Sequence, residues 1–290
     1  MTAGNRARVA VVGSVNMDMV FDVSNLPSPG ETVLATSARL LPGGKGGNQA
    51  VAAARAGADV QLVAAVGADG HAAQLRAHLA ANGVGLDGLI ALPGPSGTAV
   101  IVVDAAAENM IVVAPGANGH LTMDSQPLRD IVADCDVLLL QLEIPLETAV
   151  AAARQARASG ATVMVNASPA GADARGLADL AGVTDVVIVN ESEARHWEWP
   201  VPHLVITRGA RGATYVGADD EFDVPTPAVE ALDTTGAGDV FAGVLAAGWV
   251  ADHVHALRRA CAAGALATLV PGAGDCAPSD ETIEDALTQN

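Results

Sequence analysis

The sequence predicts an α/β protein, a doubly wound, mostly parallel sheet flanked by helices, with a small β lid. Three observations carry this. Short apolar runs of strand length alternate with helix-length segments through most of the chain. Half of the residues are hydrophobic but only 2% are aromatic, so the core must be built from Ala, Val and Leu, which suits helices packed closely on parallel strands. Several apolar runs end in a polar residue, among them Asn16, Glu143 and Asn190, and the carboxyl edge of an open parallel sheet is where ligands bind.

The elements follow in order. Arg8 to Ser14 is a short apolar run closing on polar residues, the form of a buried parallel strand, and Asn16 and Asp18 stand just past its end. Met19 to Val23 and Thr32 to Leu40 read as a strand pair, separated by Pro27, Pro29 and Gly30. A glycine-rich stretch, Pro42 to Gln49, leads into an Ala-rich helix over Ala50 to Ala56. Val60 to Val66 is a strand, and His71 to Asn82 a helix closed by Gly83. Gly97 to Val103 and Asn109 to Val113 form a hairpin around an acidic turn. With the earlier pair it makes a sheet apart from the main one, placing the lid at about 17–42 and 97–114 within a single domain over 1–290.

Beyond the hairpin, Val137 to Leu142 is an apolar strand followed by Glu143, and Thr148 to Ser159 a helix ending at Gly160. Thr162 to Asn166, Asp185 to Asn190 and Leu204 to Thr207 are further strands; the last runs into the glycine turn Arg208 to Gly212. Asn190 and Glu193 suit helix capping as well as ligand binding. Helices over Val240 to Val250 and His255 to Leu269 complete the pattern. His253 and His255 are two positions apart and share no helix face, which argues against a metal site there.

Composition excludes several function classes. A formal net charge of −18 repels nucleic acid and anionic membranes, and an anionic substrate needs a local positive device. Cys135, Cys261 and Cys276 are odd in number and lack paired metal-ligand spacing, pointing to free thiols in a cytoplasmic protein. No apolar stretch is long enough to span a bilayer.

Chemistry concentrates in Asp233-Thr234-Thr235-Gly236-Ala237-Gly238-Asp239. The apolar run after it puts Asp239 in the first turn of a buried helix, where unpaired N–H groups and bare glycines let an anion approach. A carboxylate beside such a cradle is misplaced electrostatically unless it takes a proton from an attacking hydroxyl. Taken alone, the window serves capping as well as chemistry. Lys45, the sole lysine of the chain, lies among glycines in the other glycine-rich stretch, a point charge suited to an anion. Neither stretch has the spacing of a P-loop or a dinucleotide fingerprint.

These residues also carry a resemblance. Gly43-Gly44-Lys45-Gly46-Gly47-Asn48-Gln49-Ala50 is similar to the first signature of the PfkB carbohydrate kinase family, and Asp233 to Asp239 to its second. With Asn16 and Asp18 upstream, and with Gly116-Ala117-Asn118 and Leu140-Gln141-Leu142-Glu143, the chain resembles the ribokinase branch over nearly its whole length. The resemblance implies an ATP-dependent sugar kinase acting on the primary hydroxyl of a pentose, D-ribose giving ribose 5-phosphate. It implies Asp239 as the base, with the N–H groups of Gly236, Ala237 and Gly238 stabilising the transferred phosphoryl group. Asn16, Asp18, Gly44, Lys45, Asn48 and Glu143 would hold the sugar, and Asn190, Thr207, Gly209 and Gly212 the nucleotide. Glu193 would place Mg2+ through water, Asp233 and the Thr235 carbonyl would hold K+, and the lid would pair two subunits in a homodimer.

Two departures stand out. Only residues 191–202 separate the strand ending at Asn190 from the one near His203, where the family has a longer helical stretch. A trimmed helix over Glu191 to Glu198 and an open nucleotide rim are expected. The segment Val270 to Ser279 differs in length from the family pattern, so no cation ligand is assigned there. Two other readings compete. A kinase for another sugar or a nucleoside is one; Phe21 as the sole aromatic of the first 120 residues disfavours a nucleoside. A sugar-binding module that has lost its chemistry is the other, and the presence of Asp239, Gly236, Gly238 and Lys45 argues against it.

Overall fold

The computed structural model describes residues 6–106, 108–170 and 173–288. The chain runs β1 (Arg8–Val12), β2 (Asn16–Asp22), β3 (Ser37–Gly43), α1 (Lys45–Arg55), β4 (Asp59–Val66), α2 (Gly70–Ala81), β5 (Leu89–Ala91), β6 (Gly97–Val103) and β7 (Asn109–Ala114). It continues with α3 (Gln126–Ala133), β8 (Val137–Leu140), α4 (Leu146–Ala158), β9 (Thr162–Asn166), α5 (Ala174–Ala181), β10 (Val186–Asn190) and β11 (His203–Thr207). It closes with β12 (Ala213–Val216), β13 (Glu221–Val224), α6 (Ala237–Gly248), α7 (His253–Ala267) and α8 (Asp280–Thr288).

Among the described residues the main sheet has the order β13-β12-β11-β10-β9-β8-β1-β4-β5. Its strands from β11 across to β5 are parallel, and β12 and β13 add an antiparallel edge. The expected doubly wound fold is borne out. Alternation along β1 shows why both faces carry helices: Val9 and Val11 enter one core, Ala10 and Val12 the other. The first core packs α1, α6 and α7 on the sheet, and the second packs α3, α4 and α5 on the opposite face. Small side chains let the layers close. A Cβ on Gly243 of α6 would stand 2.4 Å from the Gln49 carbonyl oxygen of α1, so the two helices touch at backbone distance.

The second sheet has the order β3-β2-β6-β7 and uses the segments singled out from the sequence; the turn joining β6 to β7 includes position 107, outside the described residues. Boundaries differ from expectation. β2 begins at Asn16, and β3 covers Ser37–Gly43 rather than Thr32 to Leu40, because the register pairs Asp22 with Ser37 and Asn16 with Gly43. β3 is an edge strand, which is why Pro42 is tolerated within it. α1 begins at Lys45, earlier than expected. Gly46 lies on the end of β1, where an added Cβ would meet the Gly13 carbonyl carbon at 2.7 Å, so the glycines form the first helical turn instead of preceding it.

The trimmed helix expected over Glu191 to Glu198 is not formed. One 3-10 turn, Glu193–Arg195, is all the helix there, and Ala194, Trp197 and Val201 cover the sheet by irregular packing. Trp197 Nε1 donates to the Trp199 carbonyl at 2.8 Å. Pro200 and Pro202 leave too short a stretch for a second turn. β5, α3, α5, α8 and the β12–β13 hairpin had no counterpart in the sequence reading. No helix among the described residues is long and apolar enough to cross a membrane.

Candidate active site

From β1 the chain moves to β4 and β5 on one side of the sheet, and later to β8, β9, β10 and β11 on the other. The switch point therefore lies between β1 and β8, where a doubly wound sheet opens a crevice at its carboxyl edge. Ser14 and Asn16 leave β1 there, and Gln141 and Glu143 leave β8. The two ends are tied together: Ser14 Oγ donates to Glu143 Oε2, which also accepts the Lys45 backbone N–H at 3.2 Å.

Onto this edge α1 and α6 point their N-termini. Gly44 precedes α1 with φ +86°, and an added Cβ would stand 2.6 Å from the Asn16 backbone nitrogen. Gly236 precedes α6 with φ +80°, and a Cβ there would be 2.7 Å from Ala273 Cα. Gly238 differs. An added Cβ would meet nothing within 4 Å, so no internal packing demands a glycine, and its bareness leaves room for something outside. The Ala237 N–H makes only a long bond, 3.3 Å, to the Thr234 carbonyl, one an arriving anion can replace.

Asp239 is 7% exposed in the first turn of α6. Its Oδ2 accepts from Asn48 Nδ2 at 3.0 Å and its Oδ1 from Gln49 Nε2 at 2.9 Å. The close crossing at Gly243 makes this reach possible. Asp18, on β2, is 8% exposed and its Oδ1 has no partner among the described residues. Burial, followed by the charges of Glu143 and Asp239, pushes the Asp18 carboxyl up to about 7. Asn16 beside it is held by Asn118, whose Nδ2 donates to Asn16 Oδ1 at 2.8 Å while its Oδ1 accepts from the Val15 N–H at 3.0 Å. Lys45 is the cation of this group. Burial, the largest influence, lowers its ammonium, but Asp239, Glu143 and Glu193 together outweigh that and raise it above the ordinary value, so it is charged at neutral pH.

Lys45 and Asp239 also line a cleft of about 920 Å³. Gly236, Ala237 and Gly238 line it together with Asn190, Glu193, Thr207, Gly209 and Gly212, and Val229, Ala265 and Phe241 add apolar lining. Asn190 and Glu193 do cap each other. Asn190 Oδ1 accepts from the N–H groups of Ser192 and Glu193, and Glu193 Oε2 accepts from the Asn190 N–H, each at 2.9 Å. Capping and a place in the lining coexist here.

Asp233 and Thr235 lie behind the cleft. Asp233 Oδ1 accepts from the Thr235 N–H at 2.9 Å and Oδ2 from the Gly272 N–H at 2.8 Å. Burial raises the Asp233 carboxyl, but these bonds hold it below its usual value. The Thr235 and Ala273 carbonyls converge on the Cys276 thiol at 3.9 and 3.3 Å. A carboxylate and main-chain carbonyls are oxygen donors of the kind a hard cation takes. Sequence reasoning gave no role to Ser14, Gln49, Asn118 and Gln141, although the last three stand inside quoted motifs; a polar residue on a buried edge was the available signal.

The chain matches the pfkB family carbohydrate kinase model over residues 6–280. The chain belongs to the pfkB family of carbohydrate kinases. The resemblance read from the sequence is thereby borne out. The chain is 36% identical over 295 residues to a ribokinase of Bacillus subtilis, covering 97% of this chain and 99% of the relative. It is 32% identical over 308 residues to a bifunctional ribokinase/ribose-5-phosphate isomerase A of Fructilactobacillus sanfranciscensis, with 98% of this chain covered but only 56% of that longer protein. Among solved structures, Arabidopsis thaliana ribokinase complexed with ribose and ATP superposes with a TM-score of 0.87 at 27% identity, covering 98% of this chain and 99% of that one. Asp239 lines the cleft, and its charge and that of Glu143 both act on Asp18.

Proposed function

We propose that the chain has ribokinase activity, transferring the terminal phosphoryl group of ATP to the primary hydroxyl of D-ribose to give ribose 5-phosphate. The observation that carries this is the place of Asp239: a buried carboxylate in the first turn of α6 that lines the cleft, accepts from Asn48 and acts by its charge on Asp18. Support comes from the ribokinase relatives and from the neighbour complexed with ribose and ATP.

In this reading the sugar lies against Asn16, Asp18, Gly44, Asn48 and Glu143, whose amides and carboxylates match the adjacent hydroxyls of a polyol. Asp239 accepts the proton of the attacking hydroxyl. Lys45 and the N–H groups of Gly236, Ala237 and Gly238 stabilise the charge on the phosphoryl group in flight. Asn190, Thr207, Gly209 and Gly212 hold the nucleotide.

Two ions fit the residues present. Glu193 lines the cleft and would anchor through water an Mg2+ bound chiefly by phosphate oxygens and water. Asp233 and the Thr235 carbonyl would hold K+, whose charge would steady the loop ahead of Gly236. The second sheet serves as the lid, covering the sugar from the side of β2. Its outer strand β7 exposes Met110, Ile111, Val112 and Val113, and an apolar edge strand needs cover, so the reading includes a homodimer through the lids. Buried cysteines that form no disulfide suit the cytoplasm.

An ADP-release assay across D-ribose, other pentoses, hexoses and nucleosides tests the activity. D-ribose is expected to give the highest kcat/KM. A nucleoside preference would move the assignment within the family, and no release with any acceptor would favour a binding module.

A further inference from the structure

Behind Asp239 lie two buried amides that take no part in the reading above. Gln49 and Gln141 are each 0% exposed, an unfavourable place for a primary amide unless its groups are paired. They are paired in series. Gln141 Nε2 donates to Gln49 Oε1 at 2.7 Å, and Gln49 Nε2 donates to Asp239 Oδ1 at 2.9 Å.

The direction of this chain has a chemical consequence. An ionised carboxylate only accepts, whereas an amide can present either its oxygen or its NH2 group. Because Asp239 only accepts, Gln49 turns its NH2 group to it, and its oxygen is left to accept from Gln141. A Gln49 turned over would set oxygen against oxygen at Asp239 and NH2 against NH2 at Gln141, losing both bonds.

The fold also makes room for the chain at a cost. A Cβ on Gly13 would lie 1.8 Å from Gln141 Oε1, so the end of β1 stays bare to admit the amide. That oxygen has no partner among the described residues, and an unpaired buried acceptor destabilises a fold where an apolar side chain of similar volume would not. Packing alone therefore does not call for glutamine at 141.

We propose that Gln141 and Gln49 are positioning residues, a relay running from the switch point of the sheet to the base. This rests on the assignment of Asp239 as that base. Asn48 grips Oδ2 and the relay grips Oδ1, so the plane of the carboxylate is set before the sugar arrives, and no reorganisation is needed at the moment of proton transfer. Neither glutamine lines the cleft, so nucleotide binding is untouched by it.

The test compares Gln141→Met, Gln49→Met and the double variant with Asp239→Asn, using D-ribose and ATP, with thermal unfolding recorded on each. The relay requires Gln141→Met to lower kcat about tenfold or more while KM for ATP stays within about twofold. It also requires the double variant to be no slower than Gln49→Met, because a broken chain has nothing further to lose. A wild-type kcat in Gln141→Met, or losses that multiply in the double variant, would overturn the relay even if Asp239→Asn is inactive. Near-normal turnover in Asp239→Asn would instead overturn the base assignment, and the relay with it. Should Gln141→Met not be recovered folded, Gln49→Met carries the same kcat requirement at the other link.

Discussion

Asn48 and Asp239, 191 positions apart, meet through a 3.0 Å hydrogen bond between the first turns of two different helices. The contact exists because α6 crosses α1 at backbone distance, which Gly243 allows. Adding a methyl group at Gly243 would bring it within 2.4 Å of the Gln49 carbonyl oxygen and 2.8 Å of Ala52 Cβ. Gly243→Ala is therefore expected to cost about 1–3 kcal/mol by overpacking, read as a lower urea midpoint, and to slow turnover by moving Asp239 away from Asn48. An unchanged midpoint and turnover would mean that the crossing does not set the site.

Asp18 makes the site work against the stability of the fold. Its carboxyl, near 3.8 when unfolded, is pushed up to about 7 in the folded chain by burial and then by Glu143 and Asp239. The folded state thus binds the proton more tightly than the unfolded state, so a penalty builds as pH rises from about 4 to 7 and is complete above 7. Removing the charge lifts the penalty. Asp18→Asn is expected to be more stable than the parent by about 2–4 kcal/mol at pH 8 and nearly equal to it at pH 4, while KM for the sugar rises. Urea unfolding at the two pH values checks this; a variant less stable at pH 8 would contradict it.

The main sheet was legible in the sequence because buried parallel strands read as uninterrupted apolar runs, as in Val137–Leu140 and Val60–Val66, whereas its strand order and switch point were not. Gly236, Gly238 and Asp239 were legible as the entry to a helix, because glycines lead into an apolar run there, and the structure begins α6 at that point. What was not legible depended on pairing between distant segments. The register of β3 follows from its partner β2, and local signals near Thr32 do not encode it. The missing helix after Asn190 was hidden because Glu191 to Glu198 has helical composition but too little length before Pro200. Gln49 and Gln141 were hidden most completely, since a buried polar side chain in an apolar run declares itself only through a partner 92 positions away.

The proposed K+ site at Asp233 predicts potassium dependence. Replacing K+ by tetramethylammonium at constant ionic strength is expected to lower turnover severalfold, and Asp233→Asn should lose most of that response. Turnover indifferent to the cation would remove the ion from the account.

The lid proposal predicts that Val112→Lys yields monomers. Val112 is 62% exposed on the edge strand β7, so a charge there costs the isolated chain little but opposes pairing of two such edges. Sedimentation at micromolar concentration should show dimer for the parent and monomer for the variant, with little change in unfolding. A parent that is already monomeric would refute the pairing.

The central claim is that Asp239 takes the proton from the sugar hydroxyl, and turnover of Asp239→Asn with D-ribose and ATP tests it most directly. Asparagine keeps the size but cannot accept that proton. The account predicts a kcat lower by about two to four orders of magnitude in a folded protein with nucleotide affinity close to the parent, its amide keeping one of the two bonds that Asp239 accepts from Asn48 and Gln49. A folded Asp239→Asn protein that turns over at a near-normal rate would contradict it.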